Sequence, residues 1–187
     1  MGRRGRLNLT EERFYFVTTT VVKFTSVFSY APFCDILIDN IKHYRKRYKF
    51  DTLGYVIMPT HFHWLVKTEP NYGSISDIMR DVKKFTAWKI FDLIELKKMD
   101  ELENIFLKEA KGIKDQKRKL WIKRFDDQVI RNEKMFWTKL KYIHNNPVKA
   151  GLVEKPEEYK YSSARNYVCG DHSVLSVDTD YAGVEIS

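Results

Sequence analysis

The chain of 187 residues contains only two cysteines, Cys34 and Cys169. They lie far apart and form no Cys-x-x-Cys pair, which argues against a disulfide framework and against a zinc knuckle. A reducing cytoplasm is therefore the expected location. No apolar run approaches the length of a membrane span. Arg3, Arg4 and Arg6 are followed by Asn8, Thr10, Glu11 and Glu12 rather than by an apolar stretch, so no secretory signal is expected. There is no internal repeat, and the length is too short for two well-packed domains. The longest stretch without basic residues is the C-terminal one. After Arg165 there is no Lys or Arg, whereas Asp171, Asp178, Asp180 and Glu185 are acidic. Residues 166–187 thus form an acidic tail that could pack across a basic body, stay disordered or cover a nucleic-acid groove, the first two being the plainer readings.

What the chain has in excess is positive charge, a formal +8. Lys and Arg on a surface displace condensed counterions from a phosphate backbone, so a polyanion, and nucleic acid first, is the expected partner. Two runs interleave cations with aromatics: His43-Tyr44-Arg45-Lys46-Arg47-Tyr48-Lys49 and Lys117-Arg118-Lys119-Leu120-Trp121. Arg45, Lys46, Arg47, Lys83, Lys84, Lys119 and Trp121 are the candidate nucleic-acid contacts. Any one of these residues is more often part of a solvated face. The ensemble carries the inference.

Periodicity outlines the elements. Residues 13–22 are aromatic and β-branched and read as a strand. Phe33, Ile36, Ile38, Ile41, Tyr44 and Tyr48 recur at helical spacing after Pro32, predicting a helix over 32–48. Residues 53–58 and 62–68 read as two strands joined by Pro59-Thr60, a hairpin. Ser74 and Asp77 open a helix whose Ile78, Val82, Phe85, Trp88, Phe91 and Ile94 form an apolar stripe. Residues 97–119 are heavily charged and predict an exposed helical or mobile excursion. Residues 121–130 could supply a fourth strand, and Asn132 with Glu133 should start a last helix that Pro147 ends. The order β-α-β-β-α-β plus a helix predicts an α+β, ferredoxin-like antiparallel sheet with helices packed on one face and a further C-terminal helix. The core spans about 13–165.

The chemistry-bearing segment is Tyr55-Val-Ile-Met-Pro-Thr-His-Phe-His-Trp-Leu-Val66. Strand side chains alternate, so His61 and His63 project to one face while Phe62 and Trp64 point to the core. Two convergent imidazoles make half of a metal site. An isolated His-x-His pair is more often a hydrogen-bonded surface feature, and what favours a site is the second segment, Tyr142-Ile-His-Asn-Asn-Pro147. With about 100° per residue, Phe136, Leu140 and Ile143 form the core stripe of that helix and Tyr142 and Asn146 stand off it. Tyr142 then offers a nucleophilic hydroxyl, with Asn146 one turn on as a further oxygen donor. Such a set suits phosphodiester chemistry through tyrosine, because a phenol ionises far more readily than an aliphatic alcohol.

These segments, with Leu120-Trp-Ile-Lys-Arg-Phe-Asp126, the continuation of the last helix to Val153, and Tyr161-Ser-Ser-Ala-Arg165, resemble the HUH endonucleases. Within them the likeness is to single-tyrosine transposases, most nearly the REP-associated tyrosine transposases. The resemblance implies that His61 and His63 hold a divalent metal cation, that Asn146 is a third metal ligand and that Tyr142 is the nucleophile. Thr60 departs from the Asn expected at its place. Imidazole ligands alone favour zinc-like metals, whereas the resemblance implies Mg2+ or Mn2+, which we adopt as the expectation. Attack by Tyr142 would leave a 5′-phosphotyrosine and a free 3′-hydroxyl on single-stranded DNA, next to a hairpin. Thr138 and Asn146 stand one turn either side of Tyr142, so there is one nucleophile. A replication-initiator or relaxase-like nickase is the alternative with the same chemistry. A non-catalytic nucleic-acid-binding module of the same topology is the alternative of a different class. The site could be completed within one chain or across a homodimer.

Overall fold

The structure, a computed structural model, describes residues 13–179. The cations Arg3, Arg4 and Arg6 and the acids Asp180 and Glu185 of the tail lie outside the described residues. Four strands, β1 (Phe14–Thr20), β2 (Asp51–Met58), β3 (His61–Lys67) and β4 (Asp126–Val129), form one sheet in the order β2-β3-β1-β4. All neighbours are antiparallel. With α1 (Ala31–Tyr48) between β1 and β2, and α2 (Ile75–Leu96) between β3 and β4, this is the ferredoxin-like arrangement. The predicted hairpin is present, with Met58 paired to His61 across Pro59-Thr60. Ser74 caps α2 as its spacing to Asp77 predicts, its hydroxyl accepting from the Asp77 N–H while the Asp77 carboxylate accepts from the Ser74 N–H.

The sheet is buried on both faces, because β1, β2 and β3 carry apolar residues at odd and even positions alike. On one face Val17, Tyr55, Phe62 and Trp64 pack beneath α1 and α2 in the larger core. On the other, Phe16, Val56 and Leu65 pack beneath α4 (Glu133–Lys149) through Phe136, Leu140 and Ile143. The helix bearing Tyr142 thus covers the face opposite the other helices. It lies close, since a Cβ on Gly54 would meet Leu140 Cδ1 at 2.7 Å and Ile143 Cδ1 at 3.1 Å. Gly54 stands where the β2–β3 register shifts, which brings bare backbone under the helix. Residues Tyr161–Ser163 protect the outer edge of β2: Ile57 N–H donates to Tyr161 O and Ser163 N–H to Tyr55 O, each at 2.9 Å.

Several expectations are corrected. Residues 97–119 are not merely an exposed excursion: α3 (Asp100–Ala110) docks through buried Phe106 against Phe91, with ring centroids 5.6 Å apart. Trp88, assigned by spacing to the apolar stripe, is 51% exposed. The fourth strand is shorter than 121–130. Pro147 does not end α4, because the Asn146 carbonyl still accepts from Ala150 N–H at 3.0 Å and loss of one donor near the last turn is tolerated. The acidic tail, over its described part, begins within α5 (Ala164–Cys169) and then packs along α1 and β2. Leu175 and Val177 are buried, and Asp178 N–H donates to Thr52 O.

Candidate active site

The β-strand alternation delivers His61, His63, Phe16 and Thr18 to the α4 face near the hairpin end of the sheet, and β1–β3 pairing sets Thr18 directly opposite His63. The two imidazole centroids are 4.7 Å apart. Each ring is held through the same nitrogen by a threonine. Thr18 Oγ1 lies 2.8 Å from His63 Nδ1, and Thr60 Oγ1 lies 3.0 Å from His61 Nδ1. Where Nδ1 carries the proton, it donates to the hydroxyl and leaves Nε2 as the free lone pair. His63 Nε2 is buried and has no hydrogen-bond partner. Burial, with smaller contributions from His61 and Lys139, pushes the His63 pKa down to about 3, and burial also lowers that of His61. Both are neutral imidazoles near neutral pH, the ligand form. Thr60, which departs from the expected Asn, therefore has a visible place: it orients His61.

Helix α4 brings Tyr142 onto this pair. Its ring centroid is 5.3 Å from that of His63 and 6.1 Å from that of Phe16, edge-on to both, and the residue is 42% exposed. Phe16 in turn stacks on His63 with centroids 5.4 Å apart. Lys139, three residues before Tyr142 on the same helix face, sets its Nζ 4.5 Å over the Phe16 ring, so a cation stands beside the tyrosine. Asn146 Nδ2 is also buried without a partner. A half-turn of that amide exchanges nitrogen for oxygen, so the same buried position can offer an oxygen to a cation. Among the described residues no group of three or more His, Cys, Asp or Glu side chains is placed to hold a metal. A cation here would draw on two imidazoles, the Asn146 amide and oxygens from outside the protein. The unpartnered Nε2, the threonine-held rings and the orphaned amide fit that use.

A brace fixes the helix from behind. His144 Nε2 lies 2.8 Å from Ser163 Oγ, which accepts from Tyr55 N–H at 2.9 Å. Burial lowers the His144 pKa to about 4, so the ring that meets the hydroxyl is a neutral imidazole near neutral pH. The segment carrying the nucleophile is thereby tied to the edge of β2. Thr18, Lys139 and His144 were not singled out from the sequence. Thr18 becomes visible only through strand register, but His144 and Ser163 both lie within segments whose pattern was already noticeable.

Residues 13–106 match the model of the IS200-like transposases. The chain belongs to that family. The matched region contains the histidine pair, and Tyr142 lies beyond it. Over 135 residues, 68% of this chain and 70% of the relative, the sequence is 28% identical to a Haemophilus influenzae protein assigned as a REP-associated tyrosine transposase. The fold is similar to that of a solved REP-associated tyrosine transposase bound to a REP hairpin. The TM-score is 0.62 at 21% identity, covering 96% of this chain and 92% of that one.

In this family member the predicted nucleic-acid contacts separate into two groups. Arg45, Lys46 and Arg47 end α1, beside the start of β2. That is the far end of the sheet from His61, about 23 Å at ~3.3 Å per residue over the strand. Arg45 pairs with Asp51 at 3.5 Å and donates to Ser176 O, and Arg47 pairs with Asp81 at 3.5 Å. The structure does not bring these residues to the site. Lys83, Lys84, Lys119 and Trp121 instead line one groove at the hairpin end. Trp121 itself is buried against Phe28, its Nε1–H donating to Lys83 O, so its ring is not free to stack a base. Among the described residues no helix is long and apolar enough to cross a membrane.

Proposed function

We propose that the chain is a metal-dependent, single-tyrosine DNA transposase that cleaves and rejoins single-stranded DNA beside a hairpin. The observation that carries this reading is the convergence of Tyr142 with two histidines whose Nδ1 atoms are both taken by threonines. His61, His63 and Asn146 would hold Mg2+ or Mn2+, which would supply Lewis-acid polarisation of a phosphate oxygen. Tyr142, half exposed on its helix, presents its phenol oxygen to the phosphorus. The new O–P bond forms as the bond from phosphorus to the 3′-oxygen breaks. The phenol proton is lost to solvent, and the leaving 3′-oxygen takes one up. Lys139 adds positive charge beside the developing phosphorane. The 5′-phosphotyrosine retains a reactive phosphodiester, so a 3′-hydroxyl from another end reverses the step and joins. The hairpin bound by the solved relative supports a hairpin-bearing substrate here.

The test is to incubate the chain with labelled single-stranded DNA carrying a hairpin from its own gene flanks, with Mn2+, and to resolve products under denaturing conditions. A protein–DNA adduct that is lost in Tyr142→Phe, while DNA binding persists, is expected. An adduct mapped to another tyrosine, or binding without any adduct, would favour the non-catalytic alternative or a different nucleophile.

A further inference from the structure

The same end of the sheet opens into a groove of about 850 Å³ between α2 and the segment leading from α3 to β4. One wall carries Arg80, Lys83 and Lys84; the other carries Lys117, Lys119 and Lys123. Asp115 is the sole acid among the residues lining it. A run of surface lysines is ordinarily a solvated face, but three features set this one apart. First, it is concave. Second, its arginines are neutralised, Arg80 by Asp77 and Asp81 and Arg118 by Glu95 and Glu103, whereas among the described residues no carboxylate pairs with Lys83, Lys84, Lys119 or Lys123. Third, the cations alternate with aromatic faces.

Those faces are not equivalent. Phe91 is buried and covered by Arg118, whose guanidinium lies 4.8 Å over the ring. Trp121 forms part of the floor. Trp88 is the exception: half exposed although it sits in an apolar stripe, it is flanked by Phe85 edge-on at 5.1 Å, with Lys84 Nζ 4.5 Å over its ring. A tryptophan in the open next to an unpaired lysine is a platform for a flat ring with a phosphate beside it. Lys83 adds a second sign. Its ammonium is desolvated enough to lower its pKa to about 8, and the partner it has is the Ile122 carbonyl, at 3.2 Å. It is still cationic at neutral pH, and an arriving phosphate would offset the cost of that burial.

We infer that this groove binds an unpaired stretch of the DNA strand, with a base stacked on Trp88 and phosphates on Lys84, Lys119 and Lys123. A paired duplex keeps its base faces stacked and has nothing to lay on Trp88, so the groove selects single strand over duplex. It lies at the same end of the sheet as the candidate active site, across β1 from His61. Ile122 N–H donates to Thr20 O, while Thr20 pairs with His61 on the other side of β1. Ile122 and His61 are thus two strand spacings apart, about 10 Å, and one strand can run from the groove past the hairpin end to Tyr142. The inference rests on the DNA reading above but not on the tyrosine assignment.

The experiment is an anisotropy titration of labelled oligothymidylate and of a blunt duplex, using the full chain as Tyr142→Phe without divalent metal so that no covalent product contributes. Trp88→Ala should weaken oligothymidylate binding about 5- to 150-fold, Trp88→Phe should restore most of it, and the duplex should be little affected. Lys84→Ala with Lys123→Ala should lower the slope of log K against log salt by about 1.4 for single strand. Oligothymidylate binding unchanged in all these variants overturns the groove. An equal loss for the duplex overturns the single-strand assignment. Adduct formation by the parent chain tests the tyrosine chemistry separately, so the two readings can fail independently.

Discussion

Thr18→Val isolates the orientation of His63. The change keeps the β-branched shape on β1 and removes only the hydroxyl that lies 2.8 Å from Nδ1. His63 is 4% exposed and its Nε2 is already buried without a partner, so in the metal-free chain the variant leaves both ring nitrogens unpaired. A buried donor or acceptor stripped of its partner costs about 1–3 kcal/mol. Loss of the hydrogen bond that fixes a metal-binding imidazole lowers metal affinity by about 10- to 100-fold, which is about 1.4–2.7 kcal/mol, the same range. Two measurements follow: the urea midpoint of the metal-free chain should fall, and calorimetric titration should show Mn2+ affinity reduced by that factor. Thr18→Ser, which restores the hydroxyl, should recover most of both. Wild-type Mn2+ affinity together with an unshifted urea midpoint in Thr18→Val would refute the assignment of Thr18 as the group that sets the ring.

His61→Ala and His63→Ala should each abolish metal-dependent cleavage, while Asn146→Ala impairs it less, since water replaces one neutral amide oxygen more readily than an imidazole. Mn2+ titration and cleavage rates of the three variants check the ordering, and normal metal binding in both histidine variants would remove the site. Gly54→Ala drives a methyl into Leu140 and Ile143 and should cost about 1–3 kcal/mol in urea unfolding. Because the Leu140 and Ile143 side chains that must give way belong to the helix bearing Tyr142, adduct formation should slow as well, and unaltered stability would show that those side chains have room to spare.

The sequence alone was enough for the order of elements along the chain, the hairpin and the direction of His61 and His63, because a period of two and a polar two-residue break are local signals. The exposure of Tyr142 followed from helical angle in the same way. What local pattern could not supply was partnership across the sheet. Thr18 meets His63 only through the β1–β3 register, and Ser163 meets His144 only because the C-terminal segment lies along β2. Charge density was also a poor guide to location: the Arg45–Arg47 run looks as basic as the Lys117–Trp121 run, yet the carboxylates of Asp51 and Asp81 hold its arginines. Trp88 and Trp121 exchanged their expected roles for a related reason. Helical spacing says which residues share a face but not where the neighbouring segment stops covering it.

The two faces of the sheet are unequally insured against opening. Strands β1, β2 and β3 are shared by both cores, so none of them can separate without exposing the large one, whereas α4 is held by the small core, the Gly54 approach and the Ser163 brace. Local opening free energies track the apolar surface that must be uncovered, and the helix therefore sits lower on that scale than the strand bearing the histidines. Amide protons of α4 will exchange before those of β3. A DNA end bonded to Tyr142 rides on the element that loosens first, while the imidazoles stay with the part of the molecule that loosens last.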